Sequence, residues 1–203
     1  MIGYKLTDRH MMTRGNTQWG EGVTHVAAGT GTALCSSDCI HDYASPELAA
    51  FMNPAHGDFA SPVLWEGEGD DLVGDDGTKR GWRRYTTLRQ VPLPQPTTEQ
   101  GVEFAIRCAL LVYTEATWVA WAEGWLSGTG RSGNAACAAA NATANAAATY
   151  AARAAQYAAD AAATYAARAA YAAGAAYAAY AAYTRTRINE IAIEVLRVPK
   201  ASK

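Results

Sequence analysis

Tyr150-Ala151-Ala152-Arg153-Ala154-Ala155-Gln156-Tyr157-Ala158-Ala159-Asp160 belongs to a stretch, Ala135 to Tyr183, in which 31 of 49 residues are alanine and tyrosine is the main large residue. Alanine has the best helix propensity and loses no side-chain entropy on ordering. The stretch holds no proline and, in its interior, only Gly174 as a glycine, so it reads as helix. Tyr150, Arg153, Tyr157, Asp160 and Thr164 recur in alternating steps of three and four, the spacing of one helical face. From Tyr165 the step becomes a strict three through Arg168, Tyr171, Gly174, Tyr177, Tyr180 and Tyr183. Each such step falls about 60° short of a turn, so these rings spiral around the helix. One unbroken rod from Ala135 to Arg197 would run about 95 Å at 1.5 Å per residue. It must fold back, pair with another copy or project. A packing helix and a spacer born of codon slippage are both open readings at this point.

Outward from that stretch the composition changes. Residues 1–134 carry ten Lys/Arg against sixteen Asp/Glu, whereas residues 135–203 carry seven against three. All six tryptophans precede Gly128, and Pro199 alone of the seven prolines follows it, so a packed core has to be built from the N-terminal part. The expected fold class is α+β: a small antiparallel β head with a short helix, then long helices forming a helical hairpin or an intermolecular bundle. The expected division is a head over 1–96, a helix packed on it over 97–127, a flexible turn over 128–134, an Ala/Tyr-rich helical tail over 135–198 and a disordered end over 199–203.

In the head, short strand signals fall at Tyr4–Leu6, Thr17–Trp19 and Val23–Val26. Ser45-Pro46-Glu47 predicts a helix over Pro46–Met52, stopped by Asn53-Pro54. Val63–Glu68 and Gly81–Val91 alternate on either side of Gly74-Asp75-Asp76-Gly77 and read as a hairpin. After the extended connector of Pro92, Pro94 and Pro96, Thr97 and Gln100 have capping-box spacing and open a helix expected over Thr98–Leu126. Its apolar face continues into Trp118, Trp121 and Trp125, read as core. Asn134 is the expected cap of the next helix. Ile188, Ile191 and Val195 share a face near the end, which requires cover.

No window of about 20 residues is strongly apolar without charge, because alanine is only weakly hydrophobic, and Met1-Ile2-Gly3-Tyr4-Lys5 lacks a secretory apolar segment, so the expectation is a cytoplasmic protein without membrane contact. Cys35, Cys39, Cys108 and Cys137 are then expected to be free thiols. The tail is too sparsely basic for nucleic acid to be an expected partner, and no cofactor is expected.

The run Gly15-Asn16-Thr17-Gln18-Trp19, Leu34-Cys35 followed by His41-Asp42-Tyr43, Leu64-Trp65-Glu66, Thr87-Leu88-Arg89-Gln90, and Pro92-Leu93-Pro94 leading into Thr97-Thr98-Glu99-Gln100 resembles an uncharacterised family found in bacteriophages and prophage-bearing bacteria. Members of that family often end in alanine-rich helices. The resemblance covers roughly residues 4 to 127 and implies a viral or mobile-element origin, with no activity to carry over.

Three groups carry chemistry. Trp82, Arg83, Arg84, Tyr85 and Arg89 mix guanidinium groups with rings, which suits phosphate and nucleobase recognition, with His41 and Tyr43 as further candidate ligand contacts. The competing reading pairs these arginines with Asp70, Asp71, Asp75 and Asp76 across the hairpin. Cys35, Cys39 and His41, with His56 as a fourth, offer zinc-type ligands at non-standard spacing. His41, Tyr43 and Glu66, with Glu68, offer acid and base groups if the fold brings them together. Phosphate-loop, dinucleotide and metalloprotease motifs are absent from the sequence. A phage-derived, non-catalytic binding protein is therefore the leading expectation. It self-associates through the tail, while its head holds a host protein or a phosphorylated ligand, such as a nucleotide signal of host defence. A filament or virion component and a nucleotide-handling enzyme are the alternatives.

Overall fold

The structure is a computed structural model that describes residues 1–144, 150–164, 174–175, 178 and 187–197. It is of the α+β class, and the chain divides into two compact units, Met1–Gln95 and Pro96–Lys203.

The first unit holds β1 (Ile2–Thr7), β2 (Met12–Thr13), β3 (Thr17–Gln18), β4 (Thr24–Val26), β5 (Ile40–Asp42), α1 (Pro46–His56), β6 (Val63–Asp75) and β7 (Arg80–Val91). β1, β6, β7 and β4 are neighbours in that order, all antiparallel, and β5 pairs with the end of β7 that β4 leaves free. The residue after β5, Tyr43, exchanges two backbone hydrogen bonds with Tyr4 at 2.8 and 3.0 Å. The ladder thus runs β1–β6–β7–β5 and returns to β1, closing one end of the sheet into a ring. Among the described residues β2 and β3 form a separate two-stranded ribbon.

Closure needs strands that curve tightly around large rings, and glycine makes the room. A Cβ on Gly69 would lie 2.2 Å from the Trp82 ring, and one on Gly67 would lie 2.6 Å from the Tyr85 ring. Both rings occupy the space that a side chain at the glycine would fill. Glycine in a strand costs about 0.5–1 kcal/mol. Burying an aromatic of 150–250 Å² contributes roughly 4–6 kcal/mol in gross transfer terms, so the exchange is favourable. Trp82, Tyr85 and Trp19 form the buried centre, with Ile40 packed against them.

The hairpin predicted from Val63–Glu68 and Gly81–Val91 is present with longer arms. Its turn is set by Asp76, whose Oδ1 accepts from the backbone of Thr78 and Lys79 and from the Thr78 hydroxyl, while Gly77 takes φ 76°. The helix opened by Ser45 runs past Asn53-Pro54 to His56, beyond the predicted stop. Pro54 lies inside the last turn and removes one intrahelical N–H bond without stopping the helix, which ends at Asn53's own contacts: its carbonyl accepts from Gly57 and Asp58 and its side chain pairs with Phe59.

The second unit begins with α2 (Thr98–Leu110), opened by the predicted Thr97–Gln100 capping box. The single helix expected to Leu126 is two: α2 ends at Leu110, and α3 (Ala116–Ser127) starts afresh. Glu115 is the reason, because its carboxylate accepts from Thr117 and Trp118 N–H as an N-cap, and the Tyr113 ring packs edge-on to Trp118 at 5.5 Å across the break. No glycine or proline marks the spot, so the pattern alone runs straight through it. Gly128 ends α3 in the left-handed conformation, φ 85°. α4 (Gly133–Ala144) is capped by the Ser132 hydroxyl, which accepts from Ala135, rather than by Asn134.

α5 (Tyr150–Thr164) lies against α4 and α2. Its buried surface is alanine: Ala154, Ala155, Ala158, Ala159, Ala161 and Ala162 are buried, while Tyr157 and Asp160 are half-buried and Arg153 is exposed. The seam predicted from the larger residues is therefore displaced to the small ones, which allow close backbone approach. α6 (Ile188–Arg197) buries Ile188, Ile191, Ala192 and Val195, and α2 supplies the cover that the sequence required, with Gln100 Nε2 donating to the Val195 carbonyl at 3.1 Å. Trp118 and Trp125 are buried and Trp121 is half-buried. The strict three-residue spacing from Tyr165 to Tyr183, apart from Gly174, and the end over 199–203 lie outside the described residues.

Candidate functional site

Alternation sends Gly3, Lys5 and Thr7 of β1 into the ring, together with Asp42 of β5 and Arg80 of β7. Arg80 donates to the Asp42 carboxylate through Nε at 2.9 Å and Nη2 at 2.6 Å, and Nη2 also reaches the Ile2 and Tyr43 carbonyls at 3.1 Å. One guanidinium thereby ties β7 to β5, to β1 and to the closing bridge. Burial pushes the Asp42 carboxyl up from its ordinary range, and the guanidinium opposes that shift. Beside this pair, the buried Lys5 ammonium donates to the His41 carbonyl at 3.0 Å and sits 4.5 Å from the Trp19 ring and 5.9 Å from the Tyr85 ring. Desolvation lowers its pKa to about 8, with Asp42 and Cys39 acting in the other direction.

The predicted arginine and aromatic group does not form one surface. Trp82 and Tyr85 are interior. Arg83 donates to the carbonyls of Gly29, Thr30, Gly31 and Asp38, holding the loop before β5 in place. Arg89 forms a two-pronged pair with Glu66 at 2.9 and 3.0 Å. Arg84 stands opposite Asp70 in register and is exposed. Asp75 and Asp76 organise the turn by accepting from backbone N–H groups.

His41 points away from the ring interior, where its Nε2 meets the Leu34 carbonyl and lies 3.5 Å from Cys39 Sγ; burial pushes its pKa down. Cys35 Sγ instead accepts from Lys79 Nζ at 3.1 Å. Among the described residues no group of three or more His, Cys, Asp or Glu side chains is arranged to hold a metal ion: Cys39 and His41 meet, while the Cys35 sulfur is taken by Lys79. His56 stacks on Tyr43 at 5.9 Å with both ring nitrogens buried and without hydrogen-bond partners, and burial takes its pKa to about 4.

The acid and base set of His41, Tyr43 and Glu66 is dispersed as well. His41 pairs with Gly81 and Glu66 with Arg89, eight positions apart on β7. Each is engaged by a different neighbour: the His41 ring meets the Leu34 carbonyl, the Tyr43 ring stacks on His56, and the Glu66 carboxylate accepts both prongs of Arg89.

What the fold does assemble is the outer face of the sheet. Three cross-strand rows lie there in register: Tyr4, Glu66 and Arg89; Ile2, Glu68, Thr86 and Thr24; and Asp70, Arg84 and Val26. Thr24 and Thr86 share a hydroxyl hydrogen bond at 2.8 Å. Val26 is 63 % exposed and Ile2 45 %. Sequence reasoning singled out Arg84, Arg89 and Glu66 but missed that a face joins them with Tyr4, Ile2 and Val26, since the pairing partners are distant in sequence. It also missed β5 with Asp42, and Lys5. Ile40-His41-Asp42 holds a single apolar residue and places a carboxylate at an inward position, so no local alternation marks β5. Comparison of the chain with protein-family models, curated proteins and solved structures finds no match.

Proposed function

We propose that this chain is a non-catalytic binding protein of phage origin whose head docks a host protein on the outer face of its β1–β6–β7–β4 sheet. The observation that supports this reading is the composition of that face. Exposed Ile2 and Val26, the Thr24–Thr86 pair, the exposed cation Arg84 and the acidic Glu68 and Asp70 alternate in register on a sheet closed into a ring at one end. Apolar positions interleaved with both signs of charge suit a protein surface of complementary pattern. A phosphorylated small ligand fits less well, because Trp82 and Tyr85 are interior and the Arg83 guanidinium is engaged by four carbonyls. Catalysis by His41, Tyr43 and Glu66 is disfavoured because the three side chains are engaged by different neighbours, the Leu34 carbonyl, the His56 ring and the Arg89 guanidinium. Self-association through residues 135–198 also has less support, since the alanine surface of α5 is buried where the chain's own α2 and α4 pack on it.

The test is site-specific photo-crosslinking in bacterial cells from positions 84, 26 and, as a control, 58. One host protein captured from 84 and 26 but not from 58 is the expected result. Native mass spectrometry of the purified protein accompanies it; a co-purified nucleotide, with no adduct at 84 or 26, would replace the protein partner by the small ligand.

A further inference from the structure

The loop before β5 and the turn between β6 and β7 meet at two side chains that neither the ring nor the outer face uses. Lys79 is buried, 6 % exposed, yet its ammonium is offered no carboxylate or carbonyl among the described residues; its hydrogen bond goes to Cys35 Sγ at 3.1 Å. Cys35 is exposed, so a small oxidant reaches the sulfur from solvent while the amine waits behind it. The Lys79 backbone is fixed by Asp76, which accepts its N–H at 2.9 Å, and Ser36, next to Cys35, bonds back to the Ala33 carbonyl at 2.8 Å. Both ends of the contact are therefore held, and 3.1 Å is within the separation at which oriented groups react as if at very high concentration.

We propose that Cys35 and Lys79 form an oxidant-gated covalent link, in which a hydroperoxide converts the neighbouring thiol and amine into a sulfur–nitrogen bond. The Cys35 sulfur attacks one oxygen of hydrogen peroxide and keeps it as S–OH, the O–O bond breaks, and the departing hydroxide takes the thiol proton to leave as water, giving the sulfenic acid of Cys35. The Lys79 nitrogen, as the free amine, then attacks that sulfur. The S–O bond breaks, the hydroxide takes the amine proton, and a second water leaves. Sulfur is oxidised by two electrons and the peroxide is reduced by two, so no further reactant is needed. The product ties residues 44 positions apart and fastens the Arg83-held loop to the hairpin turn.

Full-length protein is treated with hydrogen peroxide, unfolded without reductant, capped with iodoacetamide and digested with trypsin. Trypsin requires a free lysine side chain. The expected result is loss of the cut after Lys79 and a Gly15–Arg80 peptide lighter by two hydrogens, with Cys39 alkylated; dithiothreitol restores the cut. The Cys39→Ser variant gives the same product and Lys79→Met gives none. A Cys35–Cys39 disulfide, which leaves the Lys79 cut intact, overturns the proposal. So does sulfinic acid at Cys35 with the lysine still cleavable.

Discussion

Removing Arg80 tests the closed ring most directly. In Arg80→Met the alkyl stem is kept while the guanidinium is lost, leaving the Asp42 carboxylate, whose side chain is fully buried, without its partner, and the Ile2 and Tyr43 carbonyls without theirs. Deleting one member of a buried pair typically costs about 3–5 kcal/mol, because the remaining charge is stranded in a poor solvent. The loss of two charge-assisted bonds to carbonyls places this site toward the upper end, at about 4–5 kcal/mol. Since domains are stable by only about 5–15 kcal/mol, the first unit should become marginal. Asp42→Leu should cost a similar amount. The double variant Arg80→Met/Asp42→Leu should cost less than the sum of the two, and less than Arg80→Met alone, because no buried charge is left behind. The assay is urea unfolding followed by hydrogen–deuterium exchange mass spectrometry on peptides from β6 and β7, which reports this unit separately from the helices. A cost below about 1 kcal/mol for Arg80→Met, or strict additivity in the double variant, would refute the claim that this pair closes the sheet.

Two further perturbations probe the same interior. Lys5 gives a pH signature: the unfolded amine holds its proton to about 10.5 and the folded one to about 8, so the unfolded state binds more protons between these values and stability rises with pH across that window. The full difference corresponds to about 3 kcal/mol, and subtracting the profile of Lys5→Met from that of the native chain should isolate it; parallel profiles would remove Lys5 from the account. Gly69→Ala should destabilise by about 1–3 kcal/mol, because its Cβ would fall 2.2 Å from the Trp82 ring, and pairing it with Trp82→Leu should recover part of the loss in thermal melts.

How much of this was legible follows the range of each interaction. The helix caps at Ser45 and Thr97, the hairpin and the helical character of Tyr150–Thr164 were written locally, in residues within four positions of one another. Glu115 shows the limit even there. A glutamate is an ordinary helix residue, and only the packing of Tyr113 on Trp118 turns it into a cap that divides one periodic run into α2 and α3. In α5 the 3.6-residue period correctly announced a helix, but it could not say whether the large or the small residues meet the neighbours, and the alanines do.

The candidate site was legible by residue type and illegible by arrangement. Trp82, Arg83, Arg84, Tyr85 and Arg89 sit within eight positions, so their proximity on the chain was certain, yet a strand sends neighbours to opposite faces and each met a different environment. Sequence by itself determined the α+β class, the change of character past Gly128 and the helical character of Gly133–Ala144 and Tyr150–Thr164, because propensity, charge and capping act over a few residues. Tertiary structure alone decided that Arg80 binds Asp42 38 positions away and that Tyr43 returns the ladder to Tyr4. It also decided that Lys79 meets Cys35 and that rows from four strands make one outer face. Those are pairings between distant segments, chosen by the joint burial of Trp19, Trp82 and Tyr85, and no local pattern encodes a register that only the closed sheet imposes.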